Sequence, residues 1–325
     1  MGIRKQIKMN YIQQAYKGKT ELWMFLLTAI IISGIFILNF IMFLFTSKED
    51  LAIAYELIKN IPTNLSLIIN LLPFAILLIL LFILVKYMHQ RSILSLTTSR
   101  DKVDWKRFFF SFSLIITFIV VPFLIAYYID PSQVELQFNA QKFAILLVIS
   151  LILFPFQIGL EEYLFRGYFM QHLGIIVKNK WFPLIITSVL FGIAHSANPE
   201  VAEIGFIVMV FYIGTGLTLG IMTLMDEGLE LALGFHLGNN LMAALLVTAD
   251  WSALQTDAIF KYTSEQANNT LLEILLPVLF FYPLILFIMA RKYKWTNWKE
   301  KLFGKVEKPS AITTELPTTS FDKML

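Results

Sequence analysis

Apolar residues fall along this chain in long blocks separated by short polar stretches. Eight blocks stand out, at residues 23–45, 65–88, 108–128, 143–172, 181–197, 204–225, 229–247 and 271–290. About 20 apolar residues carry an α-helix across the ~30 Å hydrocarbon core of a bilayer, and most of these blocks reach that length. The pattern predicts an all-α, polytopic membrane bundle of about eight transmembrane helices. The first block is too long for the h-region of a cleavable signal peptide and no small-x-small site follows it, so it reads as a retained anchor.

Two stretches outside the blocks carry pattern of their own. Residues 91–107 mix Leu94, Leu96, Val103 and Trp105 with basic residues, which predicts an amphipathic segment on the membrane surface with a packing role. After Gly304 the chain turns polar and rich in Thr, Ser and Pro, predicting a disordered tail over 304–325 behind an integral membrane domain over 1–303.

Composition agrees: 57% of residues are hydrophobic, 15% are charged, and the mean hydropathy is +0.70. Allotting the 26 Lys and Arg residues to alternate sides of eight spans puts all but Lys48, Lys59, Lys142 and Lys261 on one side. By the positive-inside rule that side is cytoplasmic and holds both termini. The net charge of +3 is then a membrane-facing skirt and implies no nucleic-acid partner. The chain contains no cysteine, which excludes disulfides, thiolate nucleophiles, zinc-thiolate sites and prenylation of its own C-terminus. Sequons at Asn64 and Asn268 fall in loops on the outer side.

Ionisable groups inside a membrane cost at least ~2.5–3.5 kcal/mol each, so each one is a site hypothesis. They concentrate in three blocks: Glu161, Glu162 and Arg166 in the fourth, His195 in the fifth, and His236 with Asn240 in the seventh. Glu162 and Arg166 are four apart and share a helical face, which suits a structural ion pair, while Glu161 points about 100° away and stays available. His236 and Asn240 are likewise four apart and present an imidazole and an amide to one space. Glu161 is suited to act as general base, and His236 and Asn240 to stabilise an oxyanion. No Ser or Thr is placed as a nucleophile, so direct attack by an activated water fits better than a covalent intermediate. Taken singly, each histidine reads more simply as interhelical glue; three clusters on three of eight spans favour a shared site.

Other polar or breaking residues read as structure. Gly216 with Gly220, and Gly234 with Gly238, form Gly-x-x-x-Gly patterns for close helix packing. Pro122, Pro155 and Pro283 read as kinks, and His89 and His172 as interfacial residues at helix ends.

The three clusters carry a family resemblance. Glu161, Glu162 and Arg166 match a Glu-Glu-x-x-x-Arg motif, Phe191 and His195 a Phe-x-x-x-His motif, and His236 and Asn240 a His-x-x-x-Asn motif, in that order. In this the chain resembles the CPBP family, the type II CAAX prenyl endopeptidases together with bacteriocin-processing and self-immunity membrane proteins, over a core of about residues 140–247. The resemblance implies an intramembrane endopeptidase in which Glu161 and His195 activate the attacking water and His236 and Asn240 stabilise the oxyanion, with Glu162 and Arg166 in support. It implies a peptide or protein substrate, prenylated or membrane-associated, and a bacterial cytoplasmic membrane as the setting. No cofactor is expected: the family is often labelled a metalloprotease, but zinc gains no support from the spacing, since no His-Glu-x-x-His pair is present. Counting at ~1.5 Å per residue places Glu161 nearer the cytoplasmic face than His195, a gap that a long, tilted fourth helix would close. Competing readings are a proton-coupled transporter, disfavoured by the lack of internal repeats, and an inactive scaffold or immunity protein.

Overall fold

Each apolar block becomes a helix. The computed structural model describes residues 9–47, 50, 61–250, 252–262 and 274–309. The helices are α1 (Leu22–Phe45), α2 (Thr63–Met88), short α3 (Ile93–Thr97), α4 (Trp105–Ile129), α5 (Ala140–Val177), α6 (Trp181–Ala194), short α7 (Pro199–Ile204), α8 (Val208–Asp226), α9 (Glu230–Leu245), α10 (Ile274–Tyr293) and short α11 (Trp298–Phe303). A small sheet of β1 (Val134–Leu136), β2 (Val247–Thr248) and β3 (Phe260–Tyr262) caps one end, with β3 central, antiparallel to β1 and parallel to β2. The protein is an all-α, multi-pass membrane bundle.

Six of these helices, α1, α2, α4, α5, α8 and α10, are long and apolar enough to cross a membrane. The fifth and seventh predicted spans are shorter than expected: α6 has 14 residues and α9 has 16. At 1.5 Å per residue they extend about 21 and 24 Å. α9 is largely enclosed by other helices, whereas α6 keeps one apolar face, Trp181, Ile185 and Leu190, exposed. The buried residues of α9 include Glu230, Leu231, Gly234, Phe235, His236, Gly238 and Leu241. By contrast α1 leaves Leu26, Ile30, Leu38 and Ile41 exposed, a lipid-facing surface.

Glycine sets two of the tightest contacts. A Cβ on Gly234 would stand 2.1 Å from the Phe108 carbonyl oxygen, so α9 rests directly on the backbone of α4. A Cβ on Gly216 would stand 2.9 Å from the Ser188 carbonyl oxygen, so α8 also lies against the backbone of α6.

The basic end is knit by ion pairs. Arg100 holds Asp226 at 2.7 Å and Glu230 at 3.1 Å, Arg107 also reaches Asp226, and Lys301 pairs with Glu227. The segment 91–107 is therefore part of the packed structure, and its Leu96 is wholly buried. The described chain ends also meet here: Gln13 Nε2 donates to the Glu307 carbonyl, and Val306 N–H to that of Lys178. Packing thus continues past the expected start of the tail at Gly304, because Val306 is buried in the cluster of Ile12, Ala15 and Ile175; residues 310–325 lie outside the described residues. Asn64 sits in the first turn of α2 rather than in a loop, and Asn268 lies outside the described residues.

His89 and His172 are corrected from interfacial to buried. Their rings lie 5.2 Å apart, His172 stacks on Phe25, and His89 Nε2 is 2.9 Å from the Tyr168 hydroxyl. The N-terminal 3₁₀ turn (Ile12–Lys17) packs nearby on the end of α5, where Ile12 and Ala15 meet Ile175. Burial lowers the His89 imidazole below its usual range, and it lowers the nearby Arg91 guanidinium to about 10.

Candidate active site

The common depth of the motifs follows from how α5 and α6 are joined. The 38-residue α5 is about 57 Å long, nearly twice a hydrocarbon core. It ends at Lys178, whose φ of 56° lets the chain reverse, and α6 starts back at Trp181. Glu161 lies about 24 Å before the end of α5, and His195 about 21 Å beyond the start of α6. The two are therefore level, because α5 runs on past Glu161 about as far as α6 runs back to His195.

The central contact is a buried ionic cluster. Arg166 Nη1 donates to Glu162 Oε1 at 2.7 Å, and both side chains are fully enclosed. Arg166 Nη2 also donates to the Gly216 carbonyl at 3.1 Å, fastening α5 to α8. His236 Nδ1 lies 2.8 Å from the same Glu162 oxygen, and its Nε2 lies 3.5 Å from Glu161 Oε2. Because a carboxylate only accepts, Nδ1 carries the hydrogen and Nε2 is the nitrogen turned toward Glu161. Glu161 Oε2 is buried without a hydrogen-bond partner, as are Glu162 Oε2 and Arg166 Nε.

Two further residues complete the ring. Gln157 Nε2 donates to Glu161 Oε1 at 2.9 Å, and Asn240 Nδ2 donates to Gln157 Oε1 at 3.1 Å. His195 joins through aromatic contacts: its ring centroid is 4.6 Å from that of Phe191, which in turn lies 5.8 Å from His236 and 4.3 Å beneath the Arg166 guanidinium. His195 Nδ1 is held by the Phe191 carbonyl at 2.7 Å, leaving Nε2 for other partners. Its ring also stacks on Tyr212, whose hydroxyl accepts from Asn198.

Gln157 and Tyr212 escaped the sequence reading. Gln157 left a signal, an amide one helical turn before Glu161 in an otherwise apolar stretch. Tyr212 left none, because it meets His195 only when α8 packs on α6. The backbone from Tyr163 to Phe169 is also π-helical, directly after the two glutamates, and such widened turns recur at functional sites.

Among the described residues, no three His, Asp or Glu side chains converge as a ligand set for a metal ion. The Nδ1 atoms of both site histidines are committed, to Glu162 and to the Phe191 carbonyl, and their free Nε2 atoms do not join a third such side chain in a ligand set among the described residues.

Fold and site together define a multi-pass membrane protein with a buried carboxylate, histidine and amide centre. Residues 141–242 match the family described as type II CAAX prenyl endopeptidase, Rce1-like, a range that contains all three polar clusters. At family level this supports an intramembrane protease of the CAAX type, acting on a peptide or protein in a membrane. The chain is also similar to a Bacillus subtilis (strain 168) protein named "Uncharacterized protein YyaK", 27% identical over 247 residues, covering 74% of this chain and 83% of that protein. No solved structure gives a significant match.

Proposed function

We propose that this protein is an intramembrane endopeptidase that hydrolyses a peptide bond with a water activated by Glu161. The observation that carries the reading is the buried, unpartnered Oε2 of Glu161, facing His236 Nε2 at 3.5 Å, with Asn240 and His195 brought alongside from two other helices. A carboxylate oxygen buried inside a membrane protein without a hydrogen-bond partner is costly, which makes it a candidate for chemistry.

In this mechanism the water gives its proton to Glu161 and is steadied by His195 Nε2. The hydroxide attacks the carbonyl carbon, and the C=O electron pair moves to oxygen. Donors on His236 and Asn240 stabilise that oxyanion. Collapse breaks the C–N bond, and the leaving amine takes the proton from Glu161. To donate there His236 needs a hydrogen on each nitrogen, Nδ1–H given to Glu162 and Nε2–H to the oxyanion; the Arg166–Glu162 pair anchors the imidazole through Nδ1.

The test is cleavage of a quenched fluorescent peptide library, including farnesylated members, by the purified protein in detergent. Cleavage lost in Glu161→Gln and insensitive to a strong chelator supports the proposal. Equal activity in both proteins removes Glu161 from the mechanism, chelator sensitivity moves it to a metal, and no cleavage by either leaves a scaffold or carrier role. The basic face is proposed to be cytoplasmic, with both termini on that side of a bacterial plasma membrane.

A further inference from the structure

Three side-chain amides form a one-way chain that ends on the proposed base. Asn239 Nδ2 donates to Asn240 Oδ1 at 3.2 Å, Asn240 Nδ2 to Gln157 Oε1 at 3.1 Å, and Gln157 Nε2 to Glu161 Oε1 at 2.9 Å. The direction follows from chemistry alone. A carboxylate only accepts, so Gln157 turns its NH₂ to Glu161; its oxygen is then left to accept, which fixes Asn240, and the oxygen of Asn240 in turn receives Asn239. Amides linked head to tail polarise one another, so the last donor is the strongest.

Resting on the endopeptidase reading above, we propose that Gln157 is the positioning residue of this site, setting both the base and the oxyanion donor through one amide. By holding Oε1 it stops the Glu161 carboxylate from turning about its last torsion, and so leaves Oε2 as the one oxygen that meets water. By accepting from one N–H of Asn240 while Asn239 occupies its oxygen, it aims the remaining N–H of Asn240 away from the chain, toward the reacting carbonyl. In this proposal Gln157 acts on the reaction through Glu161 and Asn240, the two groups it bonds. A purely structural role, fastening α5 to α9, would instead appear in stability.

The experiment compares wild type, Gln157→Leu, Gln157→Glu and Glu161→Gln, purified in detergent. Gln157→Leu is expected to lower kcat about 10- to 100-fold, with KM and the thermal midpoint near wild type. Gln157→Glu is expected to do worse, since two acceptors would then meet at Glu161. A fall in melting temperature with kcat unchanged overturns the proposal. An activity-free arm uses infrared difference spectra: the carboxylate stretch that disappears in Glu161→Gln should be displaced in Gln157→Leu. A band that stays in place overturns the positioning role whether or not any peptide is cleaved. A displaced band in a protein that cleaves nothing keeps the positioning of Glu161 by Gln157 and sinks the peptidase reading alone.

Discussion

At the scale of single residues, the site is a problem in burying charge. Glu162 and Arg166 are completely enclosed, and each has a second polar contact, His236 for the carboxylate and the Gly216 carbonyl for the guanidinium. Removing one member leaves the other charged and dry. Arg166→Ala is therefore expected to cost about 3–5 kcal/mol of stability, read as a large drop in the thermal midpoint in detergent. Arg166→Lys should recover only part of it, since one ammonium cannot reproduce the planar fork to two acceptors. Glu161→Gln is the opposite kind of change. It is nearly isosteric, so folding should be kept while cleavage falls by about 10²–10⁴, the range of a lost general base. Spacing alone put Glu162 and Arg166 on one face and turned Glu161 aside, because helical periodicity is local. It could not show that His236 bonds Glu162 through Nδ1, which depends on how α9 is rotated against α5.

Between elements, backbone approach and loop burial decide the outcome. Gly234→Ala drives a methyl into the Phe108 carbonyl, against backbone that cannot swing away. The expected result is loss of folded protein in size-exclusion profiles, whereas Gly34→Ala on lipid-facing α1, with nothing within 4 Å of its added Cβ, should be neutral or mildly stabilising. The short α7, between His195 and α8, carries a pH dependence. Burial raises the Glu200 carboxyl, and the Ala253 N–H bonded to it only partly opposes this. A raised carboxyl holds its proton more tightly when folded. Its contribution to stability is thus complete below the ordinary carboxylate range and is lost as pH rises through the raised value. Thermal midpoints measured from acid to neutral pH should show this slope, and Glu200→Gln should flatten it. The Gly-x-x-x-Gly patterns were legible because small residues at that spacing have one main use in helix packing. The burial of Glu200 was not, since it depends on a loop following a different helix.

For the whole molecule, charge sorts the two ends. The ion pairs of Arg100, Arg107 and Lys301 and both described chain ends share one face, and the sheet of β1, β2 and β3 lies at the other. The absence of native cysteine makes the orientation directly measurable. Lys102→Cys, exposed on the basic face, should be labelled by an impermeant maleimide only after cells are opened, and Glu135→Cys, exposed on the sheet end, in intact cells. The reverse pattern would place the basic face outside.

The sequence by itself determined that this protein lives in a membrane as a helical bundle, and which ionisable residues stand inside its apolar blocks. Both are local properties: transfer into lipid depends on composition over one helical span, and a charged residue inside such a span is conspicuous wherever its neighbours lie. Only the tertiary structure decided the rest. It shows that α6 and α9 are shorter than a full span, that α5 runs on past Glu161 about as far as α6 runs back to His195, and that His89 and His172 are buried. It also shows that Gln157 joins Glu161 to Asn240. Each of these is set by contacts between helices distant in sequence, where packing, not local hydropathy, chooses the depth and the facing of a side chain.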